Sequence, residues 1–164
     1  MFAIDVETTG LLPLAGSRVI EVAVVSINSP AFEFSSLVNP GVKVPGAVSD
    51  LTGIDQTTLS SAAHSLSVFN NLRNIIGSYH LVAHNSSFER VFLQSEFGRF
   101  GWGFNNVIKC TLKLARQKLK KLPNYRLETV AKHLFGNEVI NYQYHRALQD
   151  ARMVGRIWKE LGGQ

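Results

Sequence analysis

Cysteine is almost absent from this sequence: Cys110 is the only one among 164 residues. An internal disulfide is therefore impossible, and a zinc site built on several cysteines is excluded with it. Long apolar runs are missing too. Nothing approaches the ~18 residues that span a bilayer. The N-terminal stretch MFAIDVETTG carries two acids and no basic leader region, so the reading gives no signal peptide. A reducing, cytoplasmic setting and no membrane are expected. Repeats, linkers and low-complexity tracts are also lacking, which predicts one domain over residues 1–164. Acids are the minority charge: 12 Asp and Glu face 17 Lys and Arg, a formal +5 with pI ≈ 9.6. That balance suits a polyanionic partner, because surface cations displace counterions from phosphate.

What is present alternates between two periods. Phe2 to Val6, Arg18 to Ile27 and Phe32 to Val38 are short β-branched runs separated by turn residues, which predicts an antiparallel meander. One charge, Glu21, interrupts the second run. From residue 56 the period moves towards 3.6. Leu66 to Ile76 predicts a helix closed by Gly77, Leu81 to Ala83 a buried strand, and Asn85 an N-cap for a helix to about Phe97. Gly98 to Gly103 reads as a loop, followed by a small strand at Val107 and Ile108. Cys110 to Lys121 reads as a very basic helix, Arg126 to Phe135 as another, and His145 to about Leu161 as the last. A meander followed by alternating helices and strands is an α/β layered domain, with a central mixed sheet flanked by helices.

Three clusters carry chemistry. Strand side chains alternate, so Asp5 and Glu7 project from one face of a buried strand, with Ile4 and Val6 on the other. Two buried carboxylates side by side are costly unless a cation neutralises them, and hard oxygen ligands suit Mg²⁺ or Mn²⁺. The Thr8-Thr9-Gly10 turn that follows can offer backbone N–H groups to a phosphate. The second cluster is His84-Asn85-Ser86-Ser87-Phe88-Glu89, at a strand end where a helix begins. The third is His145 with Asp150, a candidate proton acceptor and a candidate metal ligand placed to border one site on one broad side of a helix. Each cluster alone has an ordinary alternative: a solvated edge strand, a helix cap, an exposed helix start. Their joint order and spacing do not. The basic stretch with Lys113, Arg116, Lys118, Lys120 and Lys121 is either a solvated face or a phosphate track. His84 reads as structural.

Assembled, these blocks resemble the DEDDh 3′–5′ exonuclease family on the ribonuclease H-like fold, in particular its DNA polymerase III epsilon-like and exonuclease X-like branch. Asp5 and Glu7 match the first motif, residues 85–89 the second, and His145 with Asp150 the third. Leu51-Thr52-Gly53-Ile54 looks like the family segment that contacts the terminal nucleotide. Cys110 to Ala115 and Tyr125 to Leu127 also look like family segments. The resemblance implies two Mg²⁺ or Mn²⁺ ions held by Asp5, Glu7, Glu89 and Asp150, with Asp5 bridging and His145 as general base. It implies binding of single-stranded 3′ ends by Thr8, Thr9, Gly10, Leu51, Thr52, Asn85 and Phe88, DNA favoured over RNA, and nucleoside 5′-monophosphates as products. A DNA polymerase is a further partner this branch suggests. The family usually carries Asp where this chain has Glu89. The alternatives are an RNA 3′-end trimming enzyme of the same family and a weakly active nucleic-acid-binding module.

Overall fold

In the computed structural model, which describes residues 1–29, 32–139 and 142–163, five strands form one mixed sheet in the order β3-β2-β1-β4-β5. They are β1 (Phe2–Thr8), β2 (Val19–Ser26), β3 (Glu33–Leu37), β4 (Leu81–Ala83) and β5 (Ile108–Cys110). The first three pair antiparallel, and β4 and β5 add in parallel to β1. The helices are α1 (Gly46–Thr52), α2 (Gln56–Ser60), α3 (Ser65–Ile76), α4 (Ser86–Gly98), α5 (Thr111–Lys118), α6 (Leu127–Phe135) and α7 (Ala147–Glu160).

The two faces of β1 are dressed differently. Ile4 and Val6 join Val22 and Val24 of β2 in a core completed by Phe69 and Leu72 of α3 and Phe92, Leu93 and Phe97 of α4. The opposite face carries Ala3, Asp5 and Glu7, and α7 lies across it. Ala3 packs with Val154 and Trp158, while Ala23 and Val25 of β2 pack with Ala147 and Ala151. Ala147, Ala151 and Gly155 recur every four residues, so they share one face of α7. A Cβ on Gly155 would lie 3.6 Å from the Cβ of Ala3. Small residues on both sides let helix and strand approach closely, and that approach carries Asp150 to the strand acids.

Several expected boundaries move. The last helix starts at Ala147, not His145, because His145 has φ 61°, a left-handed conformation that cannot continue a right-handed helix. The basic helix stops at Lys118 rather than running to Lys121. The last small strand covers Ile108–Cys110. Helix α4 runs through Gly98, so the loop begins after it. Asn85 stands in the N-cap position, but with φ 81° and no side-chain cap bond; its carbonyl accepts the Phe88 N–H instead. Helices α1 and α2 were not foreseen. They have seven and five residues, too short to display a hydrophobic period.

Candidate active site

Acids from three elements converge at one end of the sheet. Asp5 and Glu7 come from β1, Asp150 from the first turn of α7, and Glu89 from the first turn of α4. His145 precedes α7, and its left-handed backbone turns its N–H onto Asp150 Oδ2 at 3.0 Å. Donor atoms of Glu7, His145 and Asp150 all lie within 4.8 Å of one another, an arrangement able to hold a cation. Asp5 and Glu89 stand outside this tightest group, but Asp5 feels the charges of Asp150, Glu89, Glu7 and Glu21. Glu7 also faces Glu21 across the β1/β2 pairing.

The electrostatics are those of an uncompensated cluster. Burial, then the neighbouring Asp150 and Glu21, pushes Glu7 up to about 8, against a partial offset from Arg146. Burial raises Asp150 to about 7, although the His145 N–H works the other way. Asp5 and Glu89 are raised well above the usual carboxylate range, in both cases mainly by burial. Among the described residues, two carboxylate oxygens, Glu89 Oε2 and Asp150 Oδ1, and the Tyr144 hydroxyl are buried with no hydrogen-bond partner. Buried acceptors of that kind ordinarily have partners. Bound cations would supply the carboxylates with the missing partners and return the acids to their ionised forms. The donor set, carboxylate oxygens with one imidazole, fits Mg²⁺ or Mn²⁺.

A cavity of about 600 Å³ opens beside the acids, walled by Leu51, Asn85, Arg116 and Tyr125 and ending at His145 and Asp150. Leu51 is 56% exposed at this wall. Other residues singled out from the sequence have internal partners. The Thr8 hydroxyl donates to the Gly10 carbonyl. The Thr9 N–H donates to the Arg18 carbonyl and its hydroxyl accepts the Arg18 N–H. Of the backbone N–H groups this turn is expected to offer, that of Thr9 is thus already committed. A Cβ on Gly10 would lie 2.7 Å from Ser17 Oγ, so the close approach that requires glycine is within the chain. Thr52 donates to the Val48 carbonyl and accepts the Ile54 N–H, bracing the segment that presents Leu51. Phe88 is half-buried against Phe92, ring centroids 4.8 Å apart.

His84 ties β4 to the helical layer: Nδ1 meets Thr111 Oγ1 at 2.9 Å and Nε2 meets the Tyr125 carbonyl at 2.8 Å. Burial holds its pKa below the usual histidine value. Of the basic side chains, Arg116 reaches the cavity and lies 5.9 Å from the Tyr125 ring, a cation–π contact. Lys113, Lys118, Lys120 and Lys121 are exposed. Sequence reasoning missed Glu21 and Arg146 as partners, although the lone charge in a buried strand was the available signal.

The profile of the exonuclease family RNase_T matches residues 2–158. A DNA polymerase III of the PolC type from Oceanobacillus iheyensis is 37% identical over 159 residues, 94% of this chain and 11% of that protein. The chain therefore spans about a ninth of the PolC-type relatives it matches. The epsilon subunit of DNA polymerase III from Aquifex aeolicus is 32% identical over 161 residues, 96% of this chain and 78% of the subunit. Exonuclease X in complex with 5′ overhanging duplex DNA shares the fold, with a TM-score of 0.75 and 24% identity over 98% of this chain and 89% of that one. The mixed sheet flanked by helices is of the ribonuclease H-like fold class, and the matched family is one of exonucleases. The chain belongs to the RNase_T exonuclease family.

Proposed function

We propose that this chain is a single exonuclease domain that removes nucleotides from the 3′ end of a DNA strand, with Asp5, Glu7, Glu89 and Asp150 as the ligands of two Mg²⁺ or Mn²⁺ ions. The observation that carries this reading is the pair of buried, unpartnered oxygens on Glu89 and Asp150 beside the tight Glu7–His145–Asp150 group. Ions held there would neutralise charge on the phosphate and acidify the attacking water. Glu7 and Asp150 release their protons as they take up cations, which ties binding to pH. His145, exposed at the cavity end, accepts the water's proton on its ring nitrogen as the oxygen attacks phosphorus. The bond from phosphorus to the 3′ oxygen of the preceding nucleoside breaks, that oxygen takes a proton from solvent to become the new 3′-hydroxyl, and a nucleoside 5′-monophosphate departs.

Leu51 supplies apolar surface to the terminal base, and Arg116 a fork for a phosphate further along the strand. Asn85 borders the same cavity. Thr8, Thr9, Gly10, Thr52 and Phe88 act by fixing the walls around the terminal nucleotide. The likeness to polymerase III relatives supports a DNA preference and a DNA polymerase as partner, and a cytoplasmic setting belongs to the same reading.

A 5′-labelled single strand incubated with Mn²⁺ tests the proposal. The expected result is a ladder shortening from the 3′ end, stopped by EDTA and slower on RNA of the same sequence. A strand retained but never shortened would make the chain a binding module, and faster loss of RNA would move the substrate to RNA.

A further inference from the structure

Glu21 is a buried acid that the proposed chemistry does not use, on the strand next to the one that bears Asp5 and Glu7. Its carboxylate grips the segment after His145 at three points. Oε1 accepts from Arg146 Nη2 at 2.9 Å, while Oε2 accepts from Arg146 Nε at 3.2 Å and from the Ala147 N–H at 2.8 Å. Asp150 takes the His145 N–H from the other side. His145 itself sits at φ 61°, a conformation a non-glycine residue keeps only when its surroundings hold it there. The clamp is contributed from 125 residues away in sequence. A helix start could be capped by a neutral side chain. An acid here faces Glu7 across the strand pair, which adds repulsion to an already crowded cluster.

We infer that Glu21 is a positioning residue for His145: by fixing Arg146 and the Ala147 N–H, it holds the imidazole in its left-handed perch over the acid cluster. The inference rests on the reading of His145 as general base. Glu21→Gln keeps one acceptor but turns an amide NH₂ towards the Arg146 fork, so the clamp opens with little change in volume.

The test is a double-mutant cycle on the full chain with labelled single-stranded DNA and saturating Mn²⁺. In the wild-type background Glu21→Gln lowers kcat about 100-fold, the scale of an ångström-level misplacement, with KM within about twofold. In a His145→Ala background it costs less than about threefold, because the residue it positions is gone. An equal loss in both backgrounds, or wild-type kcat in Glu21→Gln, overturns the inference. Amide hydrogen exchange at His145 is the readout independent of turnover. It is slow in the wild type and at least about tenfold faster in Glu21→Gln if the clamp holds this residue; equal rates overturn it. That measurement decides the matter when His145→Ala is too slow to assay. It also decides when His145→Ala retains the wild-type rate, an outcome that sinks the general-base reading and leaves the clamp to be judged alone. If Glu21→Gln does not fold, Arg146→Gln, at a side chain 37% exposed, passes through the same cycle.

Discussion

Helix α4 carries two buried glutamates seven residues apart, and they have opposite fates. Glu96, 1% exposed, accepts from Arg18 Nε and Nη2 at 2.8 and 2.9 Å and from the Val19 N–H at 3.2 Å. Glu89, 4% exposed, leaves Oε2 without a partner and has its pKa raised well above the usual value, chiefly by burial. Burying a charge is costly unless it is paired and hydrogen-bonded. At Glu96 that cost is met inside the chain, so the residue is architecture joining β2 to α4. At Glu89 it is not, and the compensating charge has to come from outside. A satisfied buried acid and an unsatisfied one are the same residue type with the same burial; the partner is what separates scaffold from site.

Breaking the site end of this comparison gives the largest effect. Asp5→Ala should lower turnover at least about a thousandfold, since a ligand to catalytic cations contributes several kcal/mol to the transition state. The same change should raise the melting temperature in EDTA at pH 9, because it removes an acid whose ionised form its burial and the neighbouring carboxylates disfavour. A fall in both quantities would mean that Asp5 is structural. At the scaffold end, Arg18→Met leaves Glu96 with only the Val19 N–H and the half-exposed Arg99, 3.7 Å away, and should destabilise the fold by about 3 kcal/mol, read by denaturant titration. Turnover per folded molecule should hold within about threefold.

Acidity sharpens the comparison further. Folded, Glu7 and Asp150 keep their protons to about 8 and about 7, against ordinary values of 4.5 and 3.8. Between those limits the folded chain binds more protons than the unfolded one, so metal-free stability falls as pH rises from about 4 to about 8. Asp5 and Glu89 act in the same direction. Melting curves across this range in EDTA should slope downwards with pH, and Mn²⁺ should flatten or reverse the slope. A flat metal-free profile would show that the cluster is not strained. The smallest effect is expected for Glu89→Asp, which keeps the charge and removes one methylene. Its turnover should equal or exceed that of the wild type, within about tenfold, and a large loss would mean that the site is fitted to the longer side chain.

Much of the sheet was legible because its signals are local. The three leading runs, the buried Leu81–Ala83 strand and the helix closed by Gly77 follow from period, β-branching and turn residues. Boundaries failed where conformation is imposed from a distance. His145 was read as the first residue of a helix, and its left-handed backbone, held between Asp150 and the Glu21 clamp, ends that reading. The Thr8–Gly10 turn reads as able to offer backbone N–H groups, and the Thr9 N–H is given to the Arg18 carbonyl instead. Neither outcome has a signature in the residues concerned.

The sequence by itself determined that Asp5 and Glu7 share one face of a strand, because side-chain alternation is fixed by covalent geometry and extends no further than neighbouring residues. Only the tertiary structure decided which acids meet and which find partners. Arg18 reaches Glu96 across 78 residues and Arg146 reaches Glu21 across 125, while Glu89 and Asp150 each keep an oxygen unclaimed. Whether a buried charge is neutralised depends on what other elements bring to within hydrogen-bond distance, and packing sets that.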